Sequence, residues 1–410
     1  MYPVFVTIPF PLGAIPLLPW LLLVAVMSSG IALLGWRAGR LELVATASVA
    51  ACCAAASAIV LRHRTFVPAD FTVSCFGLSL AVSLAVGWRV VSRLAAADGH
   101  PRAVVARVIV PVVVFGFVGA RVGYLVENSA ALTSLAAGAD VRAGGLNAYG
   151  AFLLGIGALV ATLRKGPVKA LALADAFAPA AMVGELVTRM GCYLLGSGFG
   201  RPLGSWAPSW LASLGTFPRW SPDVFGGAGA PAWVHHVRLG LIPADAPHSL
   251  PVHPTQLYLA VAAGLVLTMA LLVRRWRTAS GEVFLVVVFG YGLGRFVIGM
   301  VRDDPQRLLV GPHFSVSAAL GLGLVLLAAA FVLGPARSIR RPRYRLVAQV
   351  LALVLPATAL ALVEYKPRLI QLSLGQWIGL ATAVAAGLAW GRRWADTPGA
   401  DARPGRASSE

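Results

Sequence analysis

Apolar windows recur along the whole chain, broken by charge, proline and glycine clusters, at 12–35, 42–62, 72–94, 104–126, 148–163, 173–196, 254–273, 281–300, 314–334, 346–363 and 372–390. A stretch of about 20 apolar residues crosses a hydrocarbon core of roughly 30 Å as a helix and closes its backbone hydrogen bonds within itself. The runs are continuous rather than alternating with period two, which excludes a membrane barrel. The pattern predicts an all-α, polytopic membrane bundle. The run from Met1 to Trp20 lacks a basic leader region and a small-x-small cleavage site, so it reads as part of the first span rather than as a removed signal.

One connection is long. Residues 197–252 are rich in Gly and Pro and carry Trp206, Trp210, Trp220 and Trp233, a composition suited to a small outer head at the membrane interface. Residues 395–410 are polar and read as a disordered tail.

Composition agrees with the pattern. Hydrophobic residues make up 58% of the 410 positions and charged residues 12%, more apolar surface than a water-soluble globule could hide. A net charge of +18 would suit nucleic acid, but the basic residues punctuate the apolar runs instead of gathering on one arm, so no nucleic-acid partner is expected. Taking alternate connections together collects Arg37, Arg40, Arg93, Arg102, Arg107, Arg164, Lys165, Lys169, Arg274, Arg275, Arg277, Arg337, Arg340, Arg341, Arg343, Arg345, Arg392 and Arg393 on one side. That side is cytoplasmic by the positive-inside rule, which puts the N-terminus outside and the C-terminus inside. Arg62 and Arg64 run against it. Cys52, Cys53, Cys75 and Cys192 show neither zinc-type nor paired spacing, and His235 and His236 have no partners at ligand spacing, so neither metal nor cofactor is expected.

Arg121, Arg189 and Arg295 sit inside apolar runs, where a charge costs about 2.5 to 3.5 kcal/mol. With the orientation above, a rise of about 1.5 Å per residue brings all three to one level, near the outer headgroups. Guanidinium forks bind phosphate oxygens bidentately, so three of them at headgroup depth suggest a phospholipid substrate. The blander alternative is snorkelling or pairing with a carboxylate, and Glu185 stands one turn before Arg189. Two neighbouring helix starts add polar groups. Tyr149 lies within Gly144–Gly150, and His253-Pro254-Thr255-Gln256-Leu257-Tyr258 opens another span with Pro254 as a first-turn proline. Gly196-Ser197-Gly198-Phe199-Gly200 looks like a phosphate loop but follows a helix C-terminus, where the dipole disfavours anions, so it reads as a chain reversal. Gly290 and Gly294 form a packing notch.

Several segments occur in a specific order: Gly119-Ala120-Arg121-Val122-Gly123-Tyr124; Gly144–Gly150; Asp175-Ala176-Phe177-Ala178-Pro179 followed by Arg189-Met190-Gly191-Cys192-Tyr193 and Gly200; His253–Tyr258; and Gly290-Tyr291-Gly292-Leu293-Gly294-Arg295-Phe296 with Arg302. Together they resemble the prolipoprotein diacylglyceryl transferases of bacterial membranes. The resemblance implies a seven-helix core over 67–335, with the head at 197–252. Residues 1–66 and 336–394 then supply two added helices each, and 395–410 form the cytoplasmic tail. Leu372-Ser373-Leu374-Gly375-Gln376-Trp377 and Phe314-Ser315-Val316-Ser317 both resemble the start of the family's last core helix.

The implied reaction moves diacylglycerol from phosphatidylglycerol to the lipobox cysteine thiol of a preprolipoprotein signal peptide, in the cytoplasmic membrane, and releases glycerol 1-phosphate without a cofactor. The resemblance gives catalytic roles to Arg189, Arg295 and Tyr149. It gives substrate contacts to Arg121, Tyr124, Gly191, Gly200, His253, Gln256, Tyr258 and Arg302. The chain departs from the family at Tyr149 (histidine in the family), Cys192 (asparagine), Ser197, Leu259 and Gly299 (glutamates) and Phe76 (tyrosine). These departures admit a noncatalytic lipid-binding paralogue as a second reading. A transporter is a third, disfavoured because no inverted repeat is visible.

Overall fold

The structure, a computed structural model, describes residues 71–128, 145–164, 170–220, 229–277, 279–303, 308–339, 341–361 and 369–395, with short pieces at 4–8, 15–16, 22, 26–29, 33 and 65–66. The expected span at 42–62, most of that at 12–35 and the polar tail lie outside these residues.

The chain divides into two compact units. The smaller, Val4–Ser74, contains strand β1 (Val4–Ile8), β2 (Ile15–Pro16), β3 (Thr65–Phe66) and β4 (Phe71–Ser74), with β1 antiparallel to β4 and β2 antiparallel to β3. In the run expected to form the first span, Val4–Ile8 and Ile15–Pro16 are strands, whereas Leu22, Val26–Ser29 and Leu33 are helical. Val4, Val6, Thr7 and Ile8 are β-branched, and Pro3, Pro9, Pro11 and Pro16 interrupt any helix.

The larger unit is helical: α1 (Cys75–Ala97), α2 (Arg102–Glu127), α3 (Ala148–Leu163), α4 (Ala170–Leu195), the head helices α5 (Ser209–Leu214) and α6 (Pro231–Arg238), α7 (Thr255–Trp276), α8 (Glu282–Gly299), α9 (Val316–Leu333), α10 (Pro342–Ala361) and α11 (Leu374–Ala395). Among the described residues, six helices are long and apolar enough to cross a membrane. Val261, Leu265 and Val325 are more than 60% exposed on them, as side chains facing lipid would be. The protein is a polytopic, all-α membrane protein. One pairing was not expected. Strand β5 (Leu309–Ser315) runs antiparallel to β6 (Leu369–Ser373), so α9 and α11 each begin directly after a strand. Pro254 also differs from expectation, since it occupies the N-cap of α7 rather than its first turn.

Small residues set the helix crossings. A Cβ on Gly119 would lie 2.2 Å from the Gly150 carbonyl oxygen, and one on Gly150 would lie 2.1 Å from that of Gly119, so α2 and α3 touch backbone to backbone. Gly191 brings α4 onto Ser79 of α1, and Gly292 brings α8 onto Gly379 of α11. At the end of the bundle away from the head, a buried charge cluster ties four elements. Both terminal nitrogens of Arg274 reach the Asp98 carboxylate, at 3.0 and 2.7 Å, and Arg277 bridges Asp98 to Asp175. Asp175, fully buried, also accepts the backbone N–H groups of Gly281 and Phe284 at the start of α8.

The segment between α4 and α7 has its own core. Phe199, Phe217, Trp220, Trp233 and Val252 pack together, and Trp233 donates to the Ala246 carbonyl. The four tryptophans therefore divide. Trp220 and Trp233 fill the head, while Trp206 and Trp210 are 71% and 63% exposed.

Candidate functional site

The head-side ends of α3, α4, α7, α8 and α11 converge on one polar cluster. Asn147 caps α3, its side chain accepting the N–H groups of Tyr149 and Gly150, and this fixes Tyr149 in the first turn. The Tyr149 ring carries the Arg295 guanidinium at 5.8 Å from its centroid, and its hydroxyl donates to the Gly375 carbonyl at 2.6 Å. A Cβ at Gly375 would lie 3.2 Å from Arg295 Nη2, and one at Gly379 would lie 3.1 Å from the Tyr149 hydroxyl. α11 therefore meets this pair through its glycines, and a side chain at either position would press on the arginine or the tyrosine.

On α4, Arg189 points Nε and Nη2 at Glu185 Oε1, each at 2.7 Å, with both side chains about one-seventh exposed. Arg189 and Arg295 lie within electrostatic reach of each other. Arg295 makes no ion pair among the described residues, and its buried Nε has no hydrogen-bond partner there; neither has the buried hydroxyl of Tyr291, one turn earlier on α8. Tyr291 meets Tyr149 edge-on, ring centroids 6.4 Å apart. Unpartnered buried donors are costly, so these two groups are available to a hydrogen-bond acceptor.

Below the two tyrosines opens an apolar cavity of about 380 Å³, lined by Trp88, Ile109, Phe152, Phe177, Val287 and their neighbours. Tyr149 and Tyr291 thus stand between this apolar interior and the arginine cluster.

The expected contact residues fall into two further groups. Arg121 donates to the Gly145 carbonyl and stacks on Tyr124 at 5.3 Å; a Cβ on Gly145 would strike the Tyr124 ring at 2.5 Å. The second group builds the 197–203 loop. Gln256, fully buried, donates to the Ser197 carbonyl at 2.7 Å, Thr255 donates to that of Gly198, and Gly200 bridges Arg302. A Cβ on Gly200 would stand 2.7 Å from both the His253 Cβ and the Val301 carbonyl oxygen, so that position admits only glycine. His253 Nδ1 lies 3.3 Å from the Tyr258 hydroxyl. The structure therefore joins Tyr149, which lines the cavity, to Arg295 and brings Arg189 within electrostatic reach, while Gln256, Gly200 and Arg302 hold the 197–203 loop and Gly191 seats α4 on α1.

Tyr291 and Gly375 were not singled out as site residues from sequence. Tyr291 lay within a quoted motif. Gly375 lay in the 372–377 segment that resembles a last-helix start, and Gln376 beside it is buried and donates to the Phe296 carbonyl at 3.3 Å, which anchors α11 on α8.

Comparison with known proteins points to one family. The phosphatidylglycerol–prolipoprotein diacylglyceryl transferase of Rhodococcus jostii is 29% identical over 228 residues, covering 52% of this chain and 57% of that protein. The enzyme of that name from Corynebacterium efficiens is 29% identical over 234 residues, covering 55% and 66%, and that from Nocardia farcinica 32% over 170 residues, covering 41% and 31%. The chain thus spans less than two thirds of each of these relatives. The family model described as prolipoprotein diacylglyceryl transferase matches residues 64–334, well over half of the sequence, and the chain belongs to that family.

Proposed function

We propose that this protein transfers the diacylglyceryl group of phosphatidylglycerol to the lipobox cysteine thiol of preprolipoproteins, in the bacterial cytoplasmic membrane, with its N-terminus outside and C-terminus cytoplasmic. The observation that supports the reading is Arg295 seated on the ring of Tyr149, a residue that lines the apolar cavity, with Arg189 within electrostatic reach of Arg295. The guanidiniums bind the phosphodiester oxygens while the acyl chains occupy the cavity. The thiolate attacks the glycerol carbon bonded to phosphate. A C–S bond forms, the C–O bond breaks, and glycerol 1-phosphate departs with the electron pair. The arginines stabilise the charge that grows on that phosphate. Tyr149, its hydroxyl committed to Gly375, holds Arg295 in place rather than taking the thiol proton. Arg121 and Tyr124 on one flank, with His253, Tyr258 and the Gly200–Arg302 loop on the other, border the approach to this site.

The test is transfer of labelled diacylglycerol from phosphatidylglycerol to a lipobox peptide by the whole protein in a bilayer. Arg189→Lys and Arg295→Lys should each slow transfer by about 10²-fold, because a lysine supplies a point charge without the fork. Lipid binding without transfer by the wild type would replace this reading with that of a noncatalytic lipid-binding paralogue.

A further inference from the structure

We infer that Gln376 is a positioning residue for Arg295: by capping α11 and α8 at once, it fixes the register at which the glycine face of α11 supports that arginine. The inference rests on the transfer reaction proposed above and concerns a residue outside the segment matched by the family model.

The same kind of helix start occurs twice. Each of β5 and β6 ends in a serine that starts a helix, Ser315 for α9 and Ser373 for α11. Ser315 accepts the Ala318 N–H at 3.2 Å, and Ala318 has no side-chain group to return. Ser373 accepts the Gln376 N–H at 3.3 Å, and Gln376 Oε1 answers by accepting the Ser373 N–H and hydroxyl, both at 3.0 Å. This reciprocal pair is a capping box, and it commits the amide oxygen to α11. The amide nitrogen is left to reach α8. It donates to the Phe296 carbonyl at 3.3 Å and lies 3.5 Å from Met300 Sδ. Phe296 follows Arg295 directly and stands in the last turn of α8, where carbonyls lack partners within the helix. Gln376 is buried, and Gly299 makes room for it, since a Cβ there would stand 2.6 Å from Gln376 Cγ.

Arg295 depends on where α11 lies. A Cβ on Gly379 would be 3.2 Å from Arg295 Cβ, and one on Gly375 would be 3.2 Å from Nη2, so the side chain runs along α11 from stem to tip. The crossing itself is backbone to backbone, with a Cβ on Gly292 2.3 Å from the Gly379 carbonyl oxygen. A glycine face has no side chains to interlock, so a polar contact between the helices selects one register. A slip of α11 by one residue moves the support of the guanidinium by about 1.5 Å, and misplacing a catalytic group by about 1 Å can cost about 10²-fold in rate. Of the two starts, the one carrying the glutamine completes the site.

The test is initial-rate transfer by the full-length protein in bilayer nanodiscs, with phosphatidylglycerol and a lipobox peptide as substrates. Gln376→Met keeps the volume and removes the polar contacts. It should lower kcat by about tenfold with a smaller change in KM, because the arginine acts on charge that grows in the transition state. In an Arg295→Lys background the same substitution should cost no more than about twofold, since the fork it positions is already gone. Ser315→Ala removes a cap of the same kind from α9 and should lower the unfolding temperature while leaving transfer unchanged. An unchanged kcat in folded Gln376→Met, or the same fold-loss in both backgrounds, overturns the inference and leaves Gln376 a structural residue. If Gln376→Met does not fold, Ser373→Ala decides: it should slow transfer severalfold more than Ser315→Ala does, and equal rates overturn the inference. A wild type that transfers nothing is a different result, which overturns the transferase reading and the inference with it.

Discussion

The hydroxyl of Tyr149 donates a 2.6 Å hydrogen bond to the carbonyl of Gly375, a residue 226 positions away that lies outside the segment matched by the family model. The contact ties the first turn of α3 to the first turn of α11 and leaves the tyrosine ring as a platform under Arg295. In the proposed reaction Tyr149 acts as a positioning group.

Its substitution separates positioning from proton transfer. Tyr149→Phe keeps the ring and loses one hydrogen bond, worth about 1 kcal/mol, so transfer should fall by no more than about tenfold. Gly375→Ala places a methyl 3.2 Å from Arg295 Nη2 and 3.3 Å from the Tyr149 ring, and should impair transfer more than Tyr149→Phe does. Initial rates against phosphatidylglycerol concentration would show this. A loss of about 10³-fold or more in Tyr149→Phe would instead mark Tyr149 as the base.

The charge cluster opposite the head makes a prediction about stability. Asp175 is fully buried with Arg277 and two backbone N–H groups as partners, so Asp175→Ala strands all three. Breaking a buried pair from one side costs about 3 to 5 kcal/mol. Thermal unfolding in detergent should begin well below the wild-type temperature. Asp98→Ala should act in the same direction, and the double variant should lose less than the two single losses together, since both residues share Arg277. Strict additivity would show that the two carboxylates act separately.

Backbone contact between α2 and α3 gives a third expectation. Gly119→Val introduces side-chain atoms where even a Cβ lies 2.2 Å from the Gly150 carbonyl oxygen, so the helices must part. Overpacking of this kind costs about 1 to 3 kcal/mol. Because Tyr149 is the neighbour of Gly150, transfer should fall along with the unfolding temperature. Gly157→Val, where a Cβ meets open space, is the control and should change neither measurably.

How far the sequence foretold these features depends on the range over which each is encoded. Helices follow from local hydropathy, and α3 begins and ends at the expected residues because Asn147 caps it and charge follows it. The Glu185–Arg189 pair was visible as an i,i+4 spacing. The Tyr149–Gly375 bond and the β5–β6 pairing join segments far apart in the chain, and no local pattern specifies such partners. Val4–Ile8 was misread because apolarity dominated the reading, although its β-branched residues and flanking prolines carried the opposite signal. The orphaned Tyr291 hydroxyl could not be seen either, since a missing partner is a property of packing alone.

The head makes the last prediction. His236 is 1% exposed, and its Nδ1 accepts the Leu250 N–H at 3.2 Å, so the ring must be neutral at that nitrogen. Burial lowers its proton affinity below the ordinary histidine value, with the nearby His235 acting in the same direction and Asp303 opposing. The unfolded head, with histidine near pH ~6.5, then takes up a proton more readily than the folded one as the medium acidifies. Stability from this residue is therefore complete above about pH 6.5 and is lost progressively as pH falls toward the lower folded value. The loss falls on the Leu250–His253 stretch, which leads directly into α7 and pairs with the 200–203 loop. Hydrogen exchange at the Leu250 amide, corrected for the intrinsic pH dependence of exchange, should show weaker protection at about pH 5 than at about pH 8, on either side of the ordinary histidine value. His236→Gln, which cannot titrate, should flatten that dependence. An equal fall in protection in the variant would assign the acid sensitivity to another group, with His253 next in line because burial and Arg201 lower its proton affinity too.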